Sequence, residues 1–258
     1  MKRQWTGTAL VTGASAGIGL EFARQMARRG CDVAMTARRA DRLEAEAAAI
    51  RRATGRRVTT VPADLGDPDG ALRLIEALDS SGVEPDYVVN NAGVGVFGAV
   101  VETPVDKLAG MLRLNMEALT VLSAEYGRRM AARGRGAILN IASTAAYQPV
   151  PYLAAYAATK AYVLHFSEAF AAELSGKGVR VFTLCPGATK SEFAEVAGAP
   201  NIEFVATSAE DCVRRALDAF DNRGIVYVDG LANLFGTYVG RFAPRPLLVR
   251  AVAAALGR

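Results

Sequence analysis

The chain has 258 residues, of which 51% are hydrophobic and 22% are charged. This composition is close to that of an average globular domain and excludes a disordered, collagen-like or rod-like coiled-coil protein. Its formal charge of +4 comes from 30 basic and 26 acidic residues. The arginines occur as scattered pairs such as Arg28-Arg29 and Arg51-Arg52, which is typical of solvated helix faces, so we predict no nucleic-acid partner.

The cysteines and the histidine exclude several kinds of site. Cys31, Cys185 and Cys212 lie far apart with no CxxC pair, as expected of core thiols in a reducing compartment. The single histidine, His165, argues against a Ser-His-Asp hydrolase and a histidine metal centre, and we predict no metal site. The sequence shows neither a signal-peptide pattern nor an apolar run long enough to cross a bilayer, so we expect a cytoplasmic protein.

Short β-branched runs alternate with longer helical runs rich in alanine and arginine. In chain order the pattern predicts strand 8–12, helix 17–29, strand 32–36, helix 41–53, strand 57–61, helix 68–80, strand 87–90, helix 107–132, strand 137–142, helix 153–174 and strand 179–185. Such alternation indicates the α/β class, with a single Rossmann-type doubly wound parallel sheet and helices on both faces. We expect one dinucleotide-binding domain over 1–258, with a flap near 188–206 and an apolar tail over 231–258.

A glycine-rich turn follows the first predicted strand. Gly13, Gly17 and Gly19 remove side chains where the backbone must turn tightly between a strand and a helix. The helix N-terminus would present free amide groups and a partial positive charge to a pyrophosphate. The spacing is not GxGxxG, and the alternative is a turn that serves strand–helix packing alone; its position after the first strand favours a nucleotide site.

The end of the second predicted strand bears on cofactor choice. An acidic residue there would bind the ribose 2′-hydroxyl of NAD, but the strand runs instead into Arg38 and Arg39. An arginine pairs with a 2′-phosphate where a carboxylate would repel it, so NADP(H) is favoured over NAD(H). The alternative is that both arginines are surface charges.

One tyrosine has a lysine four residues later on a predicted helix. Tyr156 and Lys160 therefore share a helix face, which Tyr152 and Tyr162 do not do with any lysine. A nearby ammonium favours the phenolate, so we expect a lowered pKa for Tyr156 and a proton donor and acceptor for an alcohol–carbonyl pair. By itself the spacing also fits a packing tyrosine beside a surface lysine.

The ordered set of motifs resembles the short-chain dehydrogenase/reductase family over nearly the whole chain. The matching residues are the TGxxxGxG turn from Thr12 to Gly19, Asn90-Asn91-Ala92-Gly93, Asn115, Ser143, the YxxxK pair Tyr156 and Lys160, and Pro186-Gly187. Each motif alone is weak, whereas their order and intervals together are specific.

The resemblance implies an enzyme with a defined catalytic set. Tyr156 would be the general acid in reduction and the base in oxidation, and Lys160 would hold the nicotinamide ribose and tune Tyr156. Ser143 would bind the substrate oxygen, and Asn115 would hold a water that continues the proton relay. Without the family, Ser143 would be interpreted as a turn serine and Asn115 as an interior helix asparagine.

The resemblance also implies a set of cofactor-binding residues along the strand ends. Ser15 and Ile18 would line the glycine turn, and Asp64 with Leu65 would face the adenine, unless Asp64 merely begins a turn with Gly66. The remaining residues implied are Asn91, Ala92 and Gly93 beside the adenosine ribose, Pro186 and Gly187 beside the nicotinamide, and Thr189 and Ser191 near its carboxamide, Ser191 standing where the family usually has threonine.

The substrate is predicted to be a largely apolar ketone, aldehyde or secondary alcohol rather than a small charged acid. The loops expected to surround it carry few charges: Val94, Gly95, Val96, Phe97, Ala145, Tyr147, Gln148, Phe193 and the flap to Phe204. Some of the apolar helix residues must face the sheet, and a surplus apolar face would suit a helix–helix dimer: Leu119, Leu122, Val163, Phe166, Phe170 and Leu174. The resemblance implies a homodimer or homotetramer. The tail could cover the pocket, join an interface or lie on a membrane surface, the last being least favoured.

The alternative to an enzyme is a catalytically silent NADP(H)-binding sensor or scaffold.

Overall fold

The structure is a computed structural model that describes residues 5–198, 206–222 and 224–255. Phe204, predicted to lie in the substrate pocket, and residues 199–205 of the predicted flap lie outside the described residues.

The strands of the described residues are β1 Thr8–Thr12, β2 Asp32–Thr36, β3 Val58–Thr60, β4 Tyr87–Asn90, β5 Gly136–Ile141, β6 Val179–Cys185, β7 Thr189–Lys190, β8 Thr207–Ser208 and β9 Val226–Val228. Seven of them form one parallel sheet in the order β3-β2-β1-β4-β5-β6-β9, and the two short strands β7 and β8 pair with each other. The strand order reverses between β1 and β4, where the carboxyl ends of a doubly wound sheet leave a ligand crevice. The predicted fold class is confirmed.

Helices cover both faces of the sheet. They are α1 Gly17–Arg28, α2 Ala40–Thr54, α3 Gly70–Ser80, α4 Val105–Leu112, α5 Ala118–Arg133, α6 Ala154–Glu173, α7 Phe193–Ala197, α8 Ala209–Asp221, α9 Leu231–Phe242 and α10 Arg245–Ala255. The helix predicted over 107–132 is continuous, but a π-helical turn, Arg113–Glu117, joins α4 to α5. Within the described parts of the chain, none of the helices has the length and apolar character needed to cross a bilayer.

Neighbouring residues of the central strand supply two separate cores. In β1, Leu10 packs with residues of α3 and α5, whereas Val11 packs with residues of α1 and α8 on the other face. Successive strand residues point to opposite faces, so a sheet covered on both sides needs apolar residues at every position. This requirement explains why the central strands do not alternate in polarity.

The apolar helix residues predicted to mark a subunit interface are mostly used within the chain. Leu119, Leu122, Val163 and Leu174 are buried against the sheet. Phe166 and Phe170 are half-buried and stack along α6, with ring centroids 5.3 Å apart. Most of these side chains therefore face the sheet, which leaves little surplus apolar face, and the homo-oligomer remains a prediction.

Candidate active site

The glycine turn lies between the end of β1 and the start of α1. Gly13 and Gly17 have φ values of +65° and +54°, which side-chain-bearing residues rarely adopt. A Cβ at Gly13 would lie 2.8 Å from Asn91 Nδ2, and one at Gly17 would lie 3.0 Å from Ser191 Cβ. The first amides of α1 have no side-chain cap. The turn thus needs glycine for its backbone conformation and its close packing, and it brings the uncapped amides of α1 to the end of β1.

Thr12 fastens this turn to the end of β4. Its Oγ1 accepts hydrogen bonds from the backbone amides of Asn91 and Ala92, each at 2.9 Å. The Asn91 side chain returns a bond, Nδ2 donating to Thr12 O at 2.9 Å. Asn91, predicted to line the adenosine ribose, therefore uses its amide to hold the crevice together. The sequence analysis names Thr12 only as the first residue of the TGxxxGxG motif. Its hydrogen bonds to the end of β4 could not be predicted without the fold.

The arginines after β2 differ in what they contact. The Arg38 side chain is 63% exposed and lies 3.8 Å from Asp64 Oδ2. Arg39 Nη2 donates to Glu192 Oε2 at 2.9 Å and, at 3.4 Å, to Ser15 Oγ of the glycine turn. Arg42 also pairs with Glu192, and both arginines hold the pKa of that carboxyl below its usual value. The guanidiniums of Arg39 and Arg42 therefore share the carboxylate of Glu192, and that of Arg39 also contacts the glycine turn.

The residues predicted to face the adenine have structural tasks as well. Asp64 Oδ1 accepts from Gly66 N at 2.9 Å, which is the turn raised as the alternative. Leu65 is buried in the core on the α3 and α5 side of the sheet. Only the backbone of Leu65 is therefore free to meet a ligand, since its side chain packs inward.

Tyr156 stands on the first turn of α6 and is only 8% exposed. Burial raises the pKa of its phenol to about 12, and a hydrogen bond with the Ser143 side chain opposes that rise only partly. The sequence-based expectation of a lowered pKa is wrong for this structure. The pKa of Tyr156 is raised because removal from water disfavours the phenolate more than the neighbouring groups favour it.

Lys160 lies one helical turn further and is also buried. Its Nζ donates to Ile141 O at 2.8 Å and sits 5.8 Å from the centroid of the Tyr156 ring. Burial lowers the pKa of this ammonium to about 8. The pair predicted from the i, i+4 spacing is thus brought together in a poorly hydrated site, and Lys160 is not a surface residue.

Asn115 occupies the π-helical turn and is 1% exposed. Its Oδ1 accepts from Val94 N at 3.0 Å, while Nδ2 donates to Val94 O at 2.9 Å and to Thr159 Oγ1 at 3.0 Å. Thr159 Oγ1 in turn donates to Tyr156 O at 2.7 Å. A π turn is often found at functional sites, and here it connects the crevice loop to the helix that carries Tyr156.

A small space separates Asn115 from Lys160. A Cβ added to Gly93 would lie 3.1 Å from Asn115 Oδ1 and 3.4 Å from Lys160 Nζ. Only glycine leaves this gap between an acceptor and a cation open. The lysine, the asparagine and the glycine predicted separately from the motifs therefore converge on one point.

Ser143 begins the turn after β5. Its Oγ accepts from Ala145 N at 3.1 Å, as a capping serine does, and its side chain lies near enough to Tyr156 to lower the pKa of that phenol. The turn interpretation and the substrate-facing interpretation of Ser143 are therefore compatible. The neighbouring Thr144 N donates to Pro186 O at 2.9 Å, so this turn also supports the predicted Pro186-Gly187 wall after β6.

The segment after β6 folds back over the crevice. Thr189 Oγ1 donates to Gly187 O at 3.1 Å and Ser191 Oγ donates to Thr189 O at 3.3 Å, so both hydroxyls are used locally. Short helix α7 then places the Phe193 ring with its centroid 5.1 Å from that of Tyr156. This cover explains why the phenol is so little exposed.

The chain belongs to the short-chain dehydrogenase/reductase family. The family model for short chain dehydrogenases matches residues 7–201, a range that contains the glycine turn, Asn115, Ser143, Tyr156 and Lys160. The family is one of oxidoreductases, and this membership confirms the resemblance drawn from the motifs.

Three similar proteins illustrate the relationship. A short-chain dehydrogenase from Sphingobium yanoikuyae, solved in complex with NADPH, is 34% identical with a TM-score of 0.83 over 91% of this chain and 93% of its own. A 7beta-hydroxysteroid dehydrogenase from Collinsella aerofaciens is 32% identical over 214 residues, 81% of each chain. The probable oxidoreductase EphD of Mycobacterium tuberculosis is 33% identical over 73% of this chain, which spans only 32% of the length of that relative.

Proposed function

We propose that this protein transfers a hydride between NADP(H) and a carbonyl or secondary alcohol, with Tyr156 as the general acid and base. The convergence of Tyr156, Lys160 and Ser143 at the carboxyl ends of the sheet, beside the glycine turn, carries this proposal. Protein families with this fold catalyse many reactions, so the residues of the site, and not the architecture, indicate the reaction.

The residues of the crevice fit a dinucleotide. The turn packs tightly at Gly13 and Gly17, where an added Cβ would meet Asn91 or Ser191, and the start of α1 supplies uncapped amides for a pyrophosphate. We assign the phosphates to this turn with Ser15, Ile18 and Gly19, the adenosine to Asp64, Leu65, Asn91, Ala92 and Gly93, and the nicotinamide half to Lys160, Pro186, Gly187, Thr189 and Ser191. A bound nicotinamide supplies or accepts the hydride.

NADP(H) is proposed over NAD(H) because of charge. Arg38 and Arg39 follow β2, where a carboxylate would read a 2′-hydroxyl. Arg38 is weakly engaged, at 3.8 Å from Asp64, and so remains available for a 2′-phosphate. The NADPH complex of the Sphingobium relative supports the same choice.

The side chains of the site transfer one proton to the substrate oxygen and stabilise the negative charge that develops on it. In reduction, oxygen gains negative charge, which a hydrogen bond from Ser143 stabilises while the Tyr156 phenol donates its proton. The high pKa of the phenol keeps it protonated and ready to donate at neutral pH. Lys160, with the gap at Gly93 and the acceptor Asn115 Oδ1 beside it, provides the route by which Tyr156 is reprotonated.

The proposed substrate is bulky and apolar. Phe193 covers Tyr156, and Phe97 packs with Tyr152 nearby, ring centroids 6.1 Å apart, so the space over the phenol is bounded by aromatic rings. An alicyclic ketone or secondary alcohol meets such walls without leaving a charge unpaired. The hydroxysteroid specificity in the name of the Collinsella relative supports this class.

The test is an absorbance assay at the nicotinamide band with NADPH and NADH against a panel of alicyclic, aryl and short-chain ketones. We expect turnover with NADPH and preference for the larger ketones. Tight NADPH binding without turnover of any carbonyl or alcohol would favour the sensor or scaffold instead. Absence of binding by either nucleotide would contradict the cofactor assignment.

A further inference from the structure

Helix α9 turns an apolar stripe toward solvent. Leu231, Phe235, Tyr238 and Phe242 recur at i, i+4, i+7 and i+11, so they share one face of the helix. Their side chains are 86%, 71%, 57% and 82% exposed. Leu247 of the following helix, α10, is 59% exposed as well. A helix that packs on its own domain directs such a stripe inward.

The polar side of α9 is the side that packs on the protein. Thr237 is 9% exposed and its Oγ1 donates to Leu234 O at 2.7 Å. Asn233 Nδ2 donates to Asp229 O at 2.6 Å, which fixes the start of the helix beside β9. The amphipathic helix is therefore inverted, with polar residues inside and large apolar residues outside, and the apolar face is available to something beyond this chain.

The charge of residues 230–258 indicates what kind of partner the apolar face of α9 binds. Residues 230–258 contain four arginines and no acidic residue or lysine, which leaves 26 basic and 26 acidic residues in 1–229. The whole formal excess of +4 thus resides in this segment. Arg241, Arg245 and Arg250 are exposed, and within the part of the chain that the structure describes none of the three forms an ion pair.

We propose that α9 and α10 form a docking surface for an anionic lipid bilayer. Apolar side chains that enter the headgroup boundary, flanked by arginines that face anionic headgroups, are the two components of interfacial binding. A second copy of this chain suits the face less well. A two-fold axis through it would bring the same acid-free, arginine-bearing surface against itself and bury like charges.

The experiment measures co-sedimentation of the full chain with vesicles of phosphatidylcholine alone and of phosphatidylcholine mixed with phosphatidylglycerol. We expect binding to the anionic vesicles that weakens as salt is raised. Phe235→Glu should lower the affinity about ten-fold or more, because it removes one apolar anchor and adds a repelled charge. Arg250→Gln should lower it about five-fold.

Two matched variants test whether the position matters. Leu72 of α3 is 49% exposed, and Leu72→Glu makes the same kind of change on another helix. Arg52→Gln removes an exposed arginine from α2. Both variants should bind vesicles like the wild type, and thermal unfolding together with NADPH fluorescence should show that all four variants fold.

Three results would overturn the proposal. The first is no binding to anionic vesicles, and the second is equal binding to both vesicle types at every salt concentration. The third concerns oligomeric state, measured by light scattering after size exclusion: if Phe235→Glu turns an oligomer into a monomer, a second copy covers this face. Each readout is independent of turnover, so failure of the proposed oxidoreductase activity leaves this test intact.

Discussion

The rings of Phe193 and Tyr156 lie 5.1 Å apart, so the residue proposed to move the proton is covered by a side chain from the segment after β6. Gly95 makes this position available, since a Cβ there would lie 2.8 Å from Phe193 Cζ. Gly95→Ala should therefore displace α7 and lower kcat/KM about ten-fold, the scale of an overpacked contact.

The double variant Gly95→Ala/Phe193→Ala provides the control, because truncation of the ring removes the shortest contact and leaves the longer one, 3.2 Å from Ala197 Cβ. It should recover most of the kcat/KM that Gly95→Ala alone loses. Equal activity in the single and double variants would show that Phe193 does not transmit the effect.

Replacement of Tyr156 by phenylalanine tests the proposed acid and base. Tyr156→Phe keeps the ring that contacts Phe193 but removes the proton, and should reduce kcat about 10²- to 10⁴-fold while NADPH affinity stays nearly unchanged. Tyr162→Phe is the matched control on the same helix, since that hydroxyl lies near the surface and bonds to Thr120 at 2.8 Å. Full activity of Tyr156→Phe would refute the role.

Lys160 is expected to cost stability in the cofactor-free protein. Its pKa is about 8 in the fold against 10.5 for the free side chain, a penalty on the charged form of about 3 kcal/mol. Lys160→Met removes that penalty and loses the bond to Ile141 O, so it should raise the free energy of unfolding by about 2 kcal/mol at pH 7 and abolish turnover.

The effect of Lys160→Met on the free energy of unfolding should depend on pH. The unfolded chain binds more protons at this site between about pH 8 and 10.5, so the wild type gains stability from it as the pH rises through that window. The advantage of Lys160→Met, measured by urea unfolding, should be complete below pH 8 and fade toward pH 10.5. Lys177→Met, at an exposed position after α6, should show no such trend.

Arg38 is expected to select the phosphorylated cofactor. Arg38→Asp places a carboxylate where a 2′-phosphate is proposed to bind, and should lower the ratio of NADP⁺ to NAD⁺ affinity about ten-fold or more. Arg52→Asp makes the same charge change at an exposed position on α2 and should leave the ratio unchanged. Titration of each variant with both nucleotides measures the ratio, and an unaltered value for Arg38→Asp would mean that another group reads the phosphate.

The gap at Gly93 is expected to be needed for activity. Gly93→Ala would place a Cβ 3.1 Å from Asn115 Oδ1 and 3.4 Å from Lys160 Nζ, and should lower kcat about ten-fold without preventing folding. Gly110 lies within α4, and outside its own helical backbone none of the described residues comes within 4 Å of an added Cβ, so Gly110→Ala should keep activity and gain about 0.5–1 kcal/mol of stability. Unchanged kinetics in Gly93→Ala would argue against a proton route through this point.

The sequence predicted the strands that matter most for the site. The predictions for β1, β2, β4 and β6 coincide with the observed bounds, because buried parallel strands are short apolar runs between clear turn residues. It did not define α7, a helix of five residues, or β9, a strand of three, since short elements carry little periodicity. The helices α8 to α10 were not predicted either, although they are as long as α1 and α3. The direction of the Tyr156 pKa was wrong because it depends on Phe193 and on burial, which are properties of the fold. The exposure of the apolar stripe on α9 could not be predicted either, because its spacing is the same as that of a helix face buried against a core.

The π-helical turn between α4 and α5 limits how this protein can be redesigned. One residue advances an α-helix by about 100°. Deleting a residue from 113–117 to obtain a regular helix would therefore rotate Asn115 away from Val94, or rotate all of α5 relative to the sheet. Engineering for heat resistance should accordingly treat this irregular turn as fixed and look for gains elsewhere, for instance at exposed helical glycines.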